Sequence, residues 1–218
     1  MTLDCSVYGI LDPARSRGRP LPALAAAAVR GGVTLLQIRD KTGSTRDQVA
    51  QARAVLAAVA GTGVPVLVND RVDVALAAGA VGVHLGADDM PPGDARRLLG
   101  PDAIIGLTIH SIAEADAAPV ALASYFGAGG VYGTRSKVNR HGPIGPDGFG
   151  AIRAVLKRRA PGIPAVGIAG ITAENAGPVM AAGADGVAVI SDLFMADDVE
   201  AAARRLAAAV RASLEARP

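Results

Sequence analysis

Short apolar runs alternate along the chain with amphipathic or alanine-rich stretches. Each run is four or five residues long and lacks the in–out alternation of a strand exposed on one side. Such runs are typical of parallel strands that are covered on both faces. They predict eight strands, near residues 7–11, 34–38, 66–69, 82–85, 104–108, 125–129, 165–168 and 186–190.

Helical patterns follow most of these strands, for example over residues 45–60 and 146–159. Ser44 and Thr172 stand where helix N-caps are expected. Strict alternation of strand and helix predicts a parallel sheet, and eight units favour an α/β fold closed into a (β/α)8 TIM barrel. A doubly wound open sheet is the alternative, although no Gly-x-Gly-x-x-Gly follows the first strand.

An internal repeat supports the count of eight units. Residues 78–86 are echoed by residues 182–190, and residues 30–36 form a looser copy. Each copy predicts a helix that ends at a glycine and is followed by a buried strand. Gly79 and Gly183 are 104 positions apart. That separation gives about 26 residues for each of four units, close to one eighth of the chain length.

The composition fits one barrel domain over residues 1–218, with a tail after about residue 213 that we expect to be disordered. Half of the residues are hydrophobic but only 3% are aromatic, so the core is expected to be aliphatic. The 22 basic and 20 acidic residues are spread along the chain. Because no basic stripe with interleaved aromatics occurs, we do not expect nucleic acid as a partner.

The single cysteine, Cys5, excludes an intramolecular disulfide and favours a reducing compartment. The first residues lack the pattern of a secretory signal, and no long uncharged apolar run predicts a membrane span. We therefore expect a soluble, cytoplasmic protein without a membrane partner. The alanine-rich helices leave the formation of a homo-oligomer open.

Candidate chemistry lies where strands end, which is where barrels of this kind carry their active sites. Gln37, Arg39 and Lys41 alternate along the end of the second strand, so they are expected on one side. The third strand ends in Asn69 and Asp70.

A second carboxylate, Asp89, follows the fourth strand. Asp70, and either Asp88 or Asp89, have the alternative role of helix N-caps, but that role does not explain the cations facing the same space. Two nearby ionised carboxylates repel one another unless a cation lies between them. Two carboxylates with cations and an amide suit a magnesium-bound polyphosphate, so Mg²⁺ is the expected cofactor.

The connection after the sixth strand, residues 127–143, is long for a loop of this class and rich in glycine. Thr134, Ser136 and Lys137 cluster within it and suggest a loop that closes over phosphates. The alternative is a surface excursion without a function. Gly170 after the seventh strand and Ser191 after the eighth predict a second phosphate site, although glycines at these places also permit tight turns.

Two histidines have different positions in the pattern. His84 lies inside the fourth strand, and its interpretation stays open between a core histidine and a site residue. Thr108 and His110 end the fifth strand, from which His110 is expected to reach a substrate. No Ser-His-Asp arrangement and no zinc-like spacing of cysteine or histidine is recognised.

This ordered set of motifs resembles the thiamine phosphate synthase family over about residues 7–210. The resemblance rests on Gln-Ile-Arg-Asp-Lys at 37–41, Val-Asn-Asp-Arg at 68–71, His-Leu-Gly at 84–86 with Asp89, Thr-Arg-Ser-Lys at 134–137, and residues 167–172 and 189–191. It implies small-molecule substrates, namely 4-amino-2-methyl-5-hydroxymethylpyrimidine pyrophosphate and a plain or carboxylated thiazole phosphate. It implies a transferase that releases pyrophosphate through a pyrimidine cation and gives thiamine monophosphate.

The resemblance also implies roles for single residues. Asp70 and Asp89 would hold Mg²⁺, and Arg39, Lys41, Thr108 and Lys137 would serve catalysis. Substrate binding would fall to Gln37, Arg39, Lys41, Asn69, Thr108, Thr134, Ser136, Lys137, Gly170, Ile190 and Ser191.

The chain departs from the family pattern at several positions. Ala87 replaces a common Gln and Ala169 a common Gly, while Gly130 and Gly133 stand where Pro is frequent. Arg135 adds a cation without an assigned role.

Two other functions remain open from the sequence. A related thiazole tautomerase would use His110 as a proton shuttle, since imidazole titrates near neutral pH. A sensor of phosphate ligands would bind at the barrel mouth without catalysis. Neither has a reason to keep two metal carboxylates beside the cations of the second strand.

Overall fold

The strands lie where the apolar runs predict them. The computed structural model describes residues 3–134, 136 and 142–217. All eight strands agree with the predicted positions to within one residue at either end. They are β1 Val7–Leu11, β2 Leu35–Ile38, β3 Val66–Asn69, β4 Gly82–Leu85, β5 Ile104–Ile109, β6 Tyr125–Ala128, β7 Ala165–Ile168 and β8 Gly186–Val189.

These strands form a closed parallel barrel in chain order. Each strand pairs with its neighbours in sequence, and β1 pairs with both β2 and β8, so the sheet has no edge. The (β/α)8 prediction is confirmed, and the open doubly wound alternative is wrong. Closure also places the carboxyl ends of all eight strands around one mouth.

Helices cover the outside of the barrel. They are α1 Leu21–Arg30, α2 Thr45–Ala58, α3 Val72–Ala78, α4 Pro92–Leu99, α5 Ile112–Ala117, α6 Gly145–Arg159, α7 Ala176–Ala181, α8 Ser191–Phe194 and α9 Val199–Glu215. Helix α9 continues to Glu215, past the point at which the disordered tail is expected to begin. None of the helices in the described ranges is long and apolar enough to cross a membrane.

The two predicted N-caps have different outcomes. Ser44 caps α2, because its hydroxyl accepts a hydrogen bond from the Asp47 amide at 3.2 Å. Thr172 is not an N-cap, since α7 begins only at Ala176. The Thr172 carbonyl instead accepts from the Asn175 and Ala176 amides, so a separate turn precedes the helix. This turn keeps residues 170–172 at the barrel mouth.

Two apolar layers hold the barrel together. The larger lies between the strands and the helices. The smaller fills the barrel interior and is formed by Cys5, Tyr8, Ile10, Leu35, Leu67, Tyr125, Val166 and Ala188. The larger layer is built mainly from Ala, Val, Leu and Ile, in agreement with the aliphatic core expected from composition.

Two repeat-related glycines permit close approach of neighbouring strands. A Cβ atom on Gly82 would lie 1.9 Å from the carbonyl oxygen of Ile104, at the start of β5. A Cβ atom on Gly186 would lie 2.0 Å from the carbonyl oxygen of Cys5, just before β1. Because backbone atoms cannot move aside independently, both positions require glycine.

Gly186→Ala should therefore destabilise the fold, by about 1–3 kcal/mol for overpacking of this kind. In a domain of this size each kcal/mol corresponds to about 2–4 °C in Tm, which thermal unfolding followed by circular dichroism would measure. Gly177→Ala is the matched control, since a Cβ there meets nothing within 4 Å and the position is helical. An unchanged Tm for Gly186→Ala would contradict the packing argument.

Candidate active site

A cavity of about 690 Å³ opens at the carboxyl ends of the strands. Its lining includes every predicted site residue that the structure describes: Gln37, Arg39, Lys41, Asn69, Asp70, Asp89, Thr108, His110, Thr134, Ser136, Gly170, Ile190 and Ser191. Lys137 and Arg135 lie outside the described residues. The structure thus brings the described candidates together, while their individual roles stay predictions.

A buried chain of hydrogen bonds lies beneath the cavity. The Gln37 amide nitrogen donates to the Tyr8 hydroxyl, which lies 2.7 Å from the Tyr125 hydroxyl. That hydroxyl is 2.8 Å from Nδ1 of His84, and Nε2 of His84 is 2.8 Å from the Thr108 hydroxyl. His84 is therefore a core histidine with hydrogen-bond partners, and it also forms part of the cavity wall.

Arg39 is held by a carboxylate that the sequence reasoning missed. Its guanidinium donates to Oδ2 of Asp12 at 2.6 Å, and the Asp12 side chain is only 7% exposed. The other oxygen of Asp12 accepts from the Ala14 amide at 2.9 Å. Asp12 directly follows β1, so the rule that located Asp70 after β3 applies equally to this position.

Lys41 forms an ion pair with Asp70 at the mouth of the barrel. The carboxylate of Asp89 accepts from the Gly86 amide at 2.7 Å. The pKa of Asp89 is raised above its ordinary value, first by burial and next by the neighbouring Asp70 carboxylate, while Lys41 lowers it. The two carboxylates thus face each other closely enough to interact, as the sequence predicts.

Neither carboxylate caps a helix. Helix α3 has Arg71 at its N-cap without a side-chain bond, and α4 follows Pro91. Asp70 has a left-handed backbone, with φ of 61°, and its amide donates to the His84 carbonyl at 2.9 Å. Strained backbone of this kind concentrates at functional sites, because the surrounding structure must hold it in place.

The donor set at this end fits a magnesium ion that is shared with a phosphate. The contacts with Lys41 and Gly86 both use Oδ2, so Oδ1 of Asp70 and of Asp89 takes no part in them. Among the described residues no cluster of three or more His, Cys, Asp or Glu side chains is placed to hold a metal. Magnesium commonly uses one or two carboxylates and completes its shell with water and substrate phosphate.

The opposite end of the cavity is built from the ends of β6, β7 and β8. Ser136 and Ser191 are joined through their hydroxyls at 2.6 Å, and the Ser136 amide donates to the Thr134 hydroxyl at 3.1 Å. Gly170 has φ of 66°, and a Cβ there would lie 2.4 Å from the Gly133 carbonyl. Gly170 is thus required by the packing of the β6–α6 loop as well as by its place in the cavity.

His110 lies between the two ends. Its backbone amide donates to the Glu114 carboxylate at 2.7 Å, and its ring nitrogen Nδ1 bonds with the Gly129 carbonyl. Glu114 also lines the cavity and was missed from the sequence. The sequence signal that could have indicated Glu114 is its position three residues after Ser111, whose hydroxyl caps α5. A serine followed by a glutamate at this spacing is typical of a capping box.

The fold and the cavity define a class of barrel enzymes in which cationic, hydroxyl and glycine residues line the carboxyl ends of the strands, with a carboxylate pair at one end. The profile of the family described as "Thiamine monophosphate synthase" matches residues 7–193.

The chain is 50% identical to the thiamine-phosphate synthase of Agrobacterium fabrum over 99% of this chain and 98% of that protein. It is 45% identical to the thiamine-phosphate synthase of Chloroflexus aurantiacus over 98% and 96%. The solved thiamine phosphate pyrophosphorylase from Pyrococcus furiosus superposes with a TM-score of 0.85 at 35% identity, covering 97% of this chain and 98% of its own. The chain belongs to the thiamine monophosphate synthase family and is a transferase.

Asp70→Asn should lower the pKa of Asp89, because it removes the charge and the hydrogen bond that help to raise it. Burial would remain, so part of the upward shift should persist. The measurement is a carboxyl ¹³C NMR titration of the variant beside the wild type. Asp88→Asn, at the adjacent exposed position, is the control and should move the Asp89 titration less. An unmoved Asp89 in Asp70→Asn would contradict the coupling.

Ala169→Gly should stabilise the protein, because Ala169 has φ of 80°. A left-handed conformation costs an L-residue about 1–2 kcal/mol, partly offset by about 0.4–1 kcal/mol of extra unfolded-chain entropy for glycine. We expect the free energy of unfolding, measured by denaturant titration, to rise by up to about 1 kcal/mol. Ala54→Gly, at an exposed position in the interior of α2, should instead lose about 1 kcal/mol. Loss of stability in both variants would refute the strain at position 169.

Proposed function

We propose that the chain joins hydroxymethylpyrimidine pyrophosphate to thiazole phosphate, giving thiamine monophosphate and pyrophosphate. The observation that supports this most strongly is that one cavity contains both a carboxylate–cation end and a hydroxyl–glycine end. Two phosphorylated substrates bound at those ends would have their reacting atoms between them. Bringing two reactants into line in this way supplies a large part of a bimolecular rate enhancement.

The pyrophosphate would bind at the end formed by β2, β3 and β4. Arg39 is already oriented by Asp12, and Lys41 by Asp70, so both cations are placed before the substrate arrives. Asn69 adds an amide at the same rim. Preorganised charge aimed at the leaving group is usually the largest single contribution to such catalysis.

Mg²⁺ is the proposed cofactor at this end, with Asp70 and Asp89 as its protein ligands. When bound, it would neutralise part of the pyrophosphate charge. It would also reduce the repulsion that raises the pKa of Asp89. The residues fit this role because each carboxylate has an oxygen that the contacts with Lys41 and Gly86 do not use.

The reaction needs no nucleophile from the protein. The carbon–oxygen bond to pyrophosphate breaks, and the leaving group takes the electron pair. The aminopyrimidine ring delocalises the resulting cation, and the thiazole nitrogen lone pair then forms the new carbon–nitrogen bond. The chain would bind both partners, stabilise the leaving charge and exclude water; Cys5, buried with a pKa raised to about 12, is unsuited to attack.

The thiazole phosphate would bind at the end formed by Gly170, Ile190 and Ser191. Ser136 reaches this end from the β6–α6 loop through its bond with Ser191. The loop therefore contacts the same place that the phosphate would occupy. Exchange of the Ser136–Ser191 bond for bonds to phosphate would hold the loop over the bound substrates.

The test is an assay of purified protein with pyrimidine pyrophosphate, Mg²⁺ and either the plain or the carboxylated thiazole phosphate. We expect thiamine monophosphate and pyrophosphate, lost on addition of EDTA. Asp70→Ala should lower the rate by about 10² to 10³, the usual cost of one preorganised contact. Asp94→Ala is the matched control, since Asp94 is exposed on α4 and pairs with Arg97 at 2.9 Å.

Other outcomes separate the alternatives. Isomerisation of the carboxylated thiazole that survives EDTA and is lost in His110→Ala would assign a tautomerase. Binding of phosphate ligands without turnover in any combination would assign a sensor. Synthase activity that persists in both EDTA and Asp70→Ala would overturn the metal site but keep the reaction.

A further inference from the structure

The buried chain of hydrogen bonds beneath the cavity contains three side chains to which the family resemblance assigns no role: Tyr8, His84 and Tyr125. The chain connects two residues of the cavity wall, Gln37 on β2 and Thr108 on β5. It passes across the barrel interior from one to the other. Tyr8, Tyr125 and Gln37 are at most 1% exposed.

The surrounding strands are shaped to admit these rings. A Cβ on Gly106 would lie 2.1 Å from Cζ of Tyr125, and a Cβ on Gly127 would lie 3.1 Å from Cε1 of His84. The Tyr8 and Tyr125 rings meet edge to face at 5.6 Å, and the His84 and Tyr125 rings stack at 5.5 Å. Ring packing thus fixes the hydroxyl and imidazole positions independently of any ligand.

The donors and acceptors available on each group set the direction of the hydrogen bonds. The Tyr8 oxygen accepts from the Gln37 amide nitrogen. Among the described residues, its other hydrogen bond is with Tyr125, so its own proton goes to the Tyr125 oxygen. The Tyr125 proton then goes to Nδ1 of His84, and the proton on Nε2 of His84 goes to the Thr108 oxygen.

With the Gln37 amide nitrogen facing Tyr8, the reverse order would leave the Tyr8 proton buried without an acceptor, which costs the full desolvation of that group. In the described part of the chain, the buried side-chain nitrogen and oxygen atoms without a partner belong to Gln51 and Arg153. None of the atoms in the hydrogen-bond chain from Gln37 to Thr108 is among them.

We infer that His84, Tyr125 and Tyr8 are positioning residues that fix the hydrogen-bonding character of Gln37 and Thr108 in the cavity. The amide nitrogen of Gln37 is engaged below, so its carbonyl oxygen is presented to the cavity as an acceptor. Thr108 accepts from His84 and presents its own proton as a donor. The two ends together suit a heterocycle that carries an amino donor and a ring-nitrogen acceptor.

This inference rests on the proposed function for the identity of that heterocycle, the aminopyrimidine. The inference adds that Tyr8, His84 and Tyr125 affect the binding of the pyrimidine substrate without touching it. Binding of the thiazole phosphate should not depend on them. A purely structural role for the rings would affect both substrates alike. The two substrates therefore provide internal controls for one another.

The kinetic test uses Tyr125→Phe, which keeps the ring and removes the hydroxyl that links Tyr8 to His84. We expect KM for the pyrimidine pyrophosphate to rise about tenfold, the effect of one lost buried hydrogen bond. KM for the thiazole phosphate should stay unchanged. Tyr132→Phe is the matched control, because it removes a hydroxyl that donates to the Asn175 carbonyl and takes no part in the buried chain of hydrogen bonds. Both KM values should stay unchanged in this variant.

Thermal unfolding identifies any variant that fails to fold. In that case Tyr8→Phe replaces Tyr125→Phe, since it interrupts the chain one bond earlier. Equal effects on both KM values, or no effect on either in a folded variant, would overturn the inference.

The direction of the chain is tested separately by ¹⁵N NMR of histidine-labelled protein, which does not require turnover. The His84 signals are assigned by their loss in His84→Asn, since the protein has three histidines. We expect the neutral tautomer protonated at Nε2, with an Nδ1 signal that shifts in Tyr125→Phe but not in Tyr132→Phe. A tautomer protonated at Nδ1 would overturn the assigned direction. If the wild type makes no thiamine monophosphate, the proposed function fails, but this measurement still tests the direction of the hydrogen-bond chain.

Discussion

The interior of a closed eight-stranded barrel must be filled by side chains of its own strands, and this constraint shapes everything at the mouth. In this chain the interior is filled by aliphatic side chains, among them Leu35, Leu67 and Val166, together with the rings of Tyr8 and Tyr125. Gly106 provides the space that the Tyr125 ring requires. Because these rings carry hydroxyl groups, the filling of the core continues directly into the polar floor of the cavity.

Charge at the mouth follows a consistent arrangement. Each cation of the second strand is paired with a carboxylate from a neighbouring strand end, Arg39 with Asp12 and Lys41 with Asp70. Such pairs contribute little to stability where they are half exposed, as Lys41 is. Their importance lies in orientation, since a guanidinium held before binding loses less freedom when an anionic substrate arrives.

Strand positions and most cavity residues could be predicted from sequence because both follow local rules. Buried parallel strands are continuous apolar runs, and barrel chemistry lies one to four residues past them, as at Asp70 and Asp89. The bonds of Tyr8 with Gln37 and Tyr125 could not be predicted, since they depend on the relative register of strands far apart in sequence. The N-cap expected at Thr172 was wrong because a tertiary turn delays the start of α7.

The two glycines that allow the strands to approach closely, Gly82 and Gly186, have a consequence for the architecture as a whole. Gly82 lies where β4 meets β5, and Gly186 lies where β8 meets β1. These are the two seams between the first four strands and the last four. The last strand of each half, β4 and β8, therefore carries a glycine that lets the first strand of the other half approach closely.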